Sequence, residues 1–497
     1  MTRINTNING IIAQRVLGNQ NRALATSLER LSTGLSINRA ADSPDGLIAS
    51  ENLRAEETAI KQAIANGERA EDVITIAEGG MIEVQDQLNT LLGLVNQAAN
   101  RAGLDSQELG AIQLQVDGIL GSIDRIANQT SFQGTKLLNG NFEFLTSGVT
   151  ASHIDELDVN AALLPQITHS IMTLEFDLDV SAQTALAMIS AGGGQSFDTF
   201  SGQTVTFEIT GNLGTTQLAF ASGTTVTEAE SAINQYRDLT GVSASTSASG
   251  GSVSIVLHSR FLGSEQFVAV RHVEGSAYEA RIFMDDGSGT AVGTTGLANG
   301  RDVGRDAEIR VNGVDMAVQG TVARITQSYL DVEMRFDTAF NTSGNSTSFV
   351  VRSGGALFNL GPRTELAAKY HLGIKSVSTG QLGNSVEGRL AAIKSGGSAN
   401  LVDGDYDRAQ RIVENAIRAV SKQRGFLGSF ITNTVRTSIN SLGIALENTS
   451  AAESMVRDTD FASETGELTR RQILSQAATN SLSIANSQPQ SALSLLG

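Results

Sequence analysis

The chain has 497 residues, which suggests about three domains at roughly 150 residues per domain. Its apolar share of 40% is enough for a sizeable core and argues against a wholly disordered chain. The 35 basic and 52 acidic residues give a net charge of −17, which argues against general nucleic-acid binding. The absence of cysteine excludes disulfides, thiolate metal sites and a cysteine nucleophile.

Neither a membrane span nor a cleavable leader is expected. No run of 18 apolar residues is present, so no helix should cross a membrane. Residues 1–7 lack the apolar stretch of a secretory signal. We therefore expect the chain to remain in the cytosol or to leave by a route that reads no cleavable signal.

The first 130 residues carry apolar residues at heptad-like spacing, which predicts helices that pack nearly parallel. The first seam consists of Ile4, Ile8, Ile11, Leu24, Leu28, Leu31 and Leu35. The second consists of Met81, Val84, Leu88, Leu91 and Val95, within a helical region that ends near Asn100 and has a candidate break at Gly79-Gly80. The third, after a turn, consists of Leu109, Ile112, Val116, Ile119, Ile123 and Ile126.

The stretch from Asn38 to Gly46 separates the first helix from the second. Pro44 disfavours helical geometry at Ser43, and Asp45 is expected to cap the helix that follows. We therefore predict a linker there.

The carboxyl end mirrors this pattern. A helical pattern runs from about residue 405 to 447, with Val435, Ile439, Leu442 and Leu446 spaced by four, three and four. A further helix is predicted from about Thr465 to Asn486, ended by Pro489.

Strand-like alternation replaces this spacing between about residues 140 and 395. It is clearest at Met172, Leu174, Phe176, Leu178 and Val180, where polar residues occupy the alternate positions. Asn312-Gly313 lies between two short alternating runs and predicts a two-residue hairpin. The sequence therefore predicts an α+β multidomain protein with long coiled-coil-like helices from both chain ends and a β-rich insert.

The helices at the two chain ends are too thin to fold alone. A single helix with a narrow apolar stripe is marginal in water, so each end must bury its stripe elsewhere. We expect the two ends to pack against each other and also against neighbouring copies, and such contacts produce rings or open helical filaments.

Sequence motifs at both ends resemble those of the bacterial flagellins. The amino-terminal matches are Ile4-Asn5-Thr6-Asn7, the segments 28–38, 40–42 and 46–47, and Ile123 to Thr130 with Phe132, Gly134 and Leu137-Leu138. The carboxyl matches are Ile444, Asn448, residues 458–462, 472–474, 476–477 and 485–486, Pro489-Gln490 and residues 493–496. The resemblance covers about residues 1–140 and 400–497.

The resemblance implies a layered subunit. Residues 1–42 and 455–497 would be inner terminal helices that form the filament core, and residues 43–180 and 396–454 a helical second layer with a β-hairpin. Residues 181–395 would be a β-rich, surface-exposed insert with two subdomains at about 190–290 and 291–395. Asp42, Pro44 and Gly46 would form the inter-layer linker. The carboxyl part of the assembly seam would consist of Ile473, Leu474, Leu482, Leu493, Leu495 and Leu496.

It also implies a function and its partners. The subunit would polymerise with itself into the hollow, helical flagellar filament used for swimming, outside the cell. Its ends would be disordered in the monomer and fold on assembly. Type III export would require no cleaved signal. The implied partners are the flagellar cap, the hook-associated junction proteins and an export chaperone at the carboxyl end, with neither nucleic acid nor membrane.

No chemistry beyond assembly is predicted. The five histidines show no pair at the helical spacing of a metalloprotease, and no nucleophile has a local base. We expect no catalytic, metal or cofactor site, and no enzyme activity.

Many flagellins carry a helix patch that resembles an innate-receptor site. Here Leu94 and Gln97 match the patch, but Thr90 replaces the usual arginine and Gln115 the usual glutamate. Hydrogen bonds that involve a charged group are stronger than those between neutral groups. Because Thr90 and Gln115 are neutral, we expect this chain to stimulate a host innate receptor weakly.

Two alternatives share the helical ends. One is a hook–filament junction protein, which long matches at both termini disfavour. The other is an adhesin displayed on the filament through the insert, which would need a ligand pocket within residues 140–395.

Overall fold

The computed structural model describes residues 6–100, 105–150, 152–163, 171–191, 200, 204–249, 252–274, 278–285, 291–295, 300–327 and 330–494. Helices lie at both ends and strands lie between them, which confirms the predicted α+β class. The chain forms two compact units. The first contains Met1–Glu71, Asn359–Ala368 and Ile431–Gly497, and the second contains Asp72–Phe358 and Lys369–Phe430.

Eight α-helices occur in the described residues. They are α1 (Ile8–Thr33), α2 (Pro44–Ala99), α3 (Ser106–Gln129), α4 (Val226–Gln235), α5 (Arg237–Thr240), α6 (Tyr406–Phe430), α7 (Arg436–Arg457) and α8 (Phe461–Ser494). A π-helical turn, Ile431–Val435, joins α6 to α7. Short 3₁₀ turns occupy Leu366–Ala368 and Leu390–Ile393.

Helix α1 ends at Thr33, two residues before Leu35, the last seam position predicted in it. Gly34 adopts φ 74° and its N–H bonds to the carbonyl of Arg30, a left-handed cap that glycine favours. Leu35 therefore lies outside the helix, and its assignment to the helical seam was wrong.

Helix α2 is continuous, so the predicted break at Gly79-Gly80 was wrong. A Cβ on Gly80 would lie 2.6 Å from the Thr130 hydroxyl and 2.8 Å from Leu138 Cδ1. This glycine therefore permits close packing instead of ending the helix. Pro44 occupies the first turn, where its missing N–H costs nothing. Ser43, not Asp45, caps the helix, because Ser43 Oγ accepts a 3.2 Å bond from the Gly46 N–H.

The seam predicted in α2 is confirmed, because its five residues are all fully buried. In α3, Ile112, Val116 and Ile123 are buried, whereas Leu109, Ile119 and Ile126 are half-buried. Leu120 and Ala127 are also buried, so the buried stripe is rotated slightly from the predicted one.

The carboxyl helices extend further than predicted. Helical structure continues through α7 to Arg457, ten residues past the expected limit at 447. Helix α8 begins at Phe461 and continues through Pro489 to Ser494, so the prediction that Pro489 ends it was wrong.

The strands are short and antiparallel in the described ranges. They are β1 (Ser131–Phe132), β2 (Thr135–Lys136), β3 (Leu145–Ser147), β4 (Ile154–Ala162), β5 (Met172–Val180), β6 (Leu186–Ala191), β7 (Val205–Gly211), β8 (Thr215–Phe220), β9 (Val242–Ser249), β10 (Ser252–Ser259), β11 (Phe267–Glu274), β12 (Tyr278–Asp285), β13 (Ala291–Thr295), β14 (Gly300–Val303), β15 (Glu308–Val311), β16 (Val314–Asp315), β17 (Ala317–Gln319), β18 (Val322–Gln327), β19 (Leu330–Phe336), β20 (Ser346–Ser353), β21 (Ala356–Asn359), β22 (Lys369–Leu372), β23 (Gly383–Asn384) and β24 (Gly388–Arg389).

Four larger sheets enclose two separate apolar cores within the second unit. Sheets of order β16-β15-β5-β20-β3 and β17-β18-β19-β4-β22-β21 contain the strands of the first core, which uses residues 144–182 and 307–351. Sheets of order β13-β12-β6-β10-β9 and β14-β11-β7-β8 contain those of the second core, which spans residues 185–270. The second core is thus inserted between two chain segments of the first.

The β-hairpin of the second layer is expected at about residues 140–180, but the two long strands there do not pair with each other. Strands β4 and β5 lie in different sheets, β4 beside β19 and β5 between β15 and β20. Residues 144–182 therefore share a core with part of the predicted insert. Period-two alternation predicts a strand but not its partner, which explains the error.

The hairpin at Asn312-Gly313 is confirmed. Val311 pairs with Val314, and the two turn residues have φ values of 48° and 81°. Positive φ at both positions is the geometry that Asn-Gly favours.

A charged cluster joins α6 to two strands in the second unit. Lys422 Nζ lies 2.6 Å from Glu333 Oε1 and 3.4 Å from Asp158 Oδ2, and Lys375 also pairs with Asp158. Burial disfavours the charged form of Asp158, but the two ammonium groups outweigh burial and lower its pKa. Burial likewise opposes the charge of Lys422, but its two carboxylate partners raise its pKa. Asp158 and Lys422 are therefore both charged at neutral pH.

Candidate assembly surface of the terminal helices

Helices α1 and α8 pair antiparallel within the first unit. Asn7 Nδ2 donates to the Ala485 carbonyl at 2.8 Å, and Ser475 Oγ donates to Asn21 Oδ1 at 2.9 Å. Arg30 Nη1 lies 3.8 Å from Glu464 Oε2. Positions along α1 thus rise as positions along α8 fall, which fixes the direction of the pair.

The side chains that this pairing buries are small. Among the described side chains of α1 and α8, the buried residues are Gly10, Ser27, Ala478 and Ala485. Small residues let two helix backbones approach closely but bury little apolar area. The pair is therefore held by a thin interface.

The large aliphatic residues of the two helices remain exposed. Ile11 is 60% exposed, and Ile473 is 65% exposed. We use the name aliphatic face for the exposed large aliphatic residues of this helix pair, which are Ile8, Ile11, Ile12, Val16, Leu28, Ile473, Leu474 and Ile484. A groove of about 450 Å³ beside it is lined by Ile12, Val16 and Leu474 together with small and polar residues.

The aliphatic face contains part of the predicted seam. Of the predicted positions, Ile8, Ile11, Leu28, Ile473 and Leu474 are exposed, whereas Leu24, Leu31 and Leu482 are half-buried. Ile4, Leu495, Leu496 and the side chain of Leu493 lie outside the described residues. Sequence periodicity did not single out Ile12, Val16 and Ile484, which fall outside a narrow heptad stripe.

The two chain segments that follow α1 and precede α8 are bonded to each other. Ser36 N–H donates to the Arg457 carbonyl at 2.7 Å, and Thr459 N–H donates to the Gly34 carbonyl at 2.9 Å. Leu35 and Asp458 form an antiparallel bridge between these bonds. The sequence offered no sign of this link, because backbone bonds leave no residue pattern.

The predicted linker contains its own hydrogen-bonded turn. Asp42 Oδ2 accepts bonds from the Arg39 N–H at 2.8 Å and the Asn38 N–H at 3.0 Å. These bonds stabilise the carboxylate and lower the pKa of Asp42. Pro44 and Gly46 lie in the first turn of α2, so of the three predicted linker residues only Asp42 precedes the helix.

The predicted receptor patch occupies two helices. Thr90, Leu94 and Gln97 follow each other along one face of α2, where Thr90 and Gln97 are exposed and Leu94 is half-buried. Gln115 is exposed on α3, next to Leu114, which is 71% exposed. Thr90 uses its hydroxyl within its own helix, donating to the Asp86 carbonyl at 3.0 Å.

Neither a metal cluster nor a membrane-spanning helix is found in the described residues. They contain no group of three or more histidine, aspartate or glutamate residues arranged to hold a metal ion. In the same residues, no helix combines the length and the apolar character needed to cross a membrane.

Comparison with known proteins gives the same family at both ends. Residues 4–143 match the bacterial flagellin N-terminal helical region, and residues 411–496 match the bacterial flagellin C-terminal helical region. Flagellin A of Helicobacter pylori is 27% identical, with 99% of each chain covered. Flagellin of Salmonella choleraesuis is 26% identical with the same coverage, and flagellin of Aquifex aeolicus is 26% identical, covering 100% of this chain and 99% of its own.

Among solved structures, the chain is similar to the flagellar junction protein FlgL from Legionella pneumophila. The identity is 11% and the TM-score 0.28, with 82% of this chain and 99% of that chain covered. The two terminal matches and the full-length relatives place this chain in the bacterial flagellin family.

Proposed function

We propose that this chain is the subunit of a flagellar filament and polymerises through the aliphatic face of α1 and α8. The observation that carries the proposal is the combination of exposed Ile and Leu residues on this face with an internal interface of small residues. Large exposed apolar residues grouped on one helix pair usually mark a contact site. Membership of the flagellin family supports copies of the same chain as the partner.

Burial of this face supplies the free energy for assembly. Covering a half-exposed Ile or Leu side chain contributes roughly 1 kcal/mol. The eight residues of the aliphatic face together contribute several times that amount, which opposes the entropy lost when a subunit is fixed. Contacts between different faces of neighbouring copies can repeat without closing, and so they build an open helical polymer.

The same thin interface supports a monomer whose ends are disordered. Isolated helices are marginal in water, and the pairing of α1 with α8 buries few large side chains. The ends then fold as each subunit joins its neighbours. Because folding of the ends is coupled to assembly, subunits do not polymerise prematurely, and the unfolded ends can pass through the export apparatus.

The location, the export route and the partners of the subunit are proposed from its membership of the flagellin family. The subunit would act outside the cell after type III export, and the β-rich insert would face outward. Its partners would be the flagellar cap, the junction proteins and an export chaperone at the carboxyl end. A host innate receptor would bind weakly because Thr90 and Gln115 replace charged anchors.

Electron microscopy and pelleting of the purified chain test the proposal. The full chain should form long tubes. Chains that lack residues 1–33 or residues 461–497 should remain in the supernatant, while the melting temperature of the second unit stays unchanged. Limited proteolysis of the monomer should leave a core of about residues 45–450. Normal tubes from either truncated chain would contradict the proposal, and so would short oligomers in place of tubes from the full chain.

A further inference from the structure

Helix α8 contains a carbonyl without its usual helical donor. The residue four positions after Ala485 is Pro489, which has no N–H to donate to the Ala485 carbonyl. Ala485 is buried, and a buried carbonyl without a partner costs free energy comparable to a lost hydrogen bond. The helix nevertheless continues to Ser494.

Asn7 supplies the missing donor from the other end of the chain. Its Nδ2 donates to the Ala485 carbonyl at 2.8 Å, while its Oδ1 accepts from the Gly10 N–H at 2.9 Å and caps α1. An asparagine amide has a donor and an acceptor on one short side chain, so it can serve both helices at once. Serine or aspartate could replace it as a cap but would not supply the same donor.

Gly10 leaves the space in which this amide sits. A Cβ at Gly10 would lie 2.9 Å from Asn7 Nδ2 and 3.2 Å from Asn486 Oδ1. Alanine would normally stabilise the helix relative to glycine, but here it would displace the side chain that joins the two helices.

We propose that Asn7 and Pro489 form a register lock between the two chain ends. In the interior of a regular helix each carbonyl already accepts a bond from the N–H four residues on, so α8 offers no equivalent acceptor to a shifted Asn7. The proline therefore marks one position along α8. A slide by one helical turn, about 5.4 Å, would leave the Ala485 carbonyl unpaired again.

This inference rests on the proposed function in one respect: polymerisation is the reason why the offset between α1 and α8 matters. When the disordered ends fold during assembly, α1 and α8 can pair at many offsets that bury similar areas, because the residues between them are small. A single acceptor that must be filled selects one offset. The correct register then places the residues of the aliphatic face opposite the neighbouring subunits.

A double-mutant cycle on the full chain tests the lock. Asn7→Ser keeps a good cap for α1 but removes the amide donor. Pro489→Ala restores the backbone N–H at position 489, which can then donate to the Ala485 carbonyl. N7S alone should raise the monomer concentration in equilibrium with filaments about two- to tenfold. In the P489A background the same change should have less than about a twofold effect.

The matched control is Asn128→Ser. Asn128 Nδ2 donates to the Asp124 carbonyl of its own helix at 2.8 Å, so N128S should have the same effect in both Pro489 backgrounds. An equal cost of N7S in the two backgrounds would overturn the lock.

A second readout separates the lock from polymerisation. The chain has no cysteine, so N21C and S475C introduce one pair at side chains that are hydrogen-bonded in the native register. In the polymer, where both ends are folded, N7S should lower the yield of this disulfide several-fold on mild oxidation, and adding P489A should restore the yield. Failure of the unmodified chain to polymerise would refute the proposed function. Disulfide yields in the polymer that do not depend on Asn7 would refute the lock and leave the proposed function intact.

Discussion

Ile473 offers the sharpest test of the aliphatic face. It is 65% exposed on α8, and replacing it with glutamine keeps a good helix former. Full burial of an isoleucine side chain contributes about 1.5–3 kcal/mol, so covering the exposed two thirds contributes about 1–2 kcal/mol. I473Q should therefore raise the monomer concentration in equilibrium with filaments about five- to thirtyfold.

The assay is sedimentation of filaments over a series of total protein concentrations. Val386→Gln is the matched control, because Val386 is also 65% exposed but lies between β23 and β24. V386Q should change the equilibrium less than about twofold, and neither change should alter melting of the second unit. Polymerisation of I473Q at the wild-type concentration, or an equal effect of V386Q, would refute the reasoning.

Three further outcomes are expected. Thr90→Arg combined with Gln115→Glu should increase stimulation of innate-receptor reporter cells, because it restores the two charged side chains of the patch. If the unmodified chain stimulates the cells as strongly as a flagellin with the charged patch, these two charges do not matter. Lys422→Met should lower the melting temperature of the second unit by roughly 1–2 °C, since a side chain 41% exposed leaves a net effect of about 1 kcal/mol after screening; an unchanged melting temperature would contradict this. Because the pKa of Asp42 is lower in the folded chain, its stabilising effect is present above the usual aspartate pKa and is lost as pH falls through the lowered value. Wild type should thus exceed Asp42→Asn in thermal stability at pH 7, with the difference disappearing in acid, and a difference independent of pH would exclude this role.

Heptad spacing predicted much of the helical part of the fold. It identified the buried residues of α2, such as Leu88 and Leu91, because a long regular helix presents one stripe to its neighbours. It failed where a single residue acts through tertiary contact. Gly80 permits close packing inside α2, and Pro489 lies inside α8, where the Ala485 carbonyl accepts a hydrogen bond from the distant Asn7 amide.

The strand partners and the composition of the terminal interface could not be predicted. Alternation in β4 and β5 shows which residues face a core, but pairing depends on contacts far away in sequence. Likewise, the stripe of Ile and Leu in α1 predicts that these side chains are buried, but it does not identify the surface that buries them. The structure places Gly10 and Ala485 at the contact between helices and leaves Ile11 exposed.

Hydrogen exchange of the free chain and of the polymer tests the central claim most directly. If the ends fold only among copies, amides of α1 and α8 should exchange freely in the monomer and be protected by orders of magnitude in the polymer. Amides of α2 around Leu88 should be protected in both states, because that seam is buried within one chain. Equal protection of α1 and α8 in monomer and polymer would contradict the account.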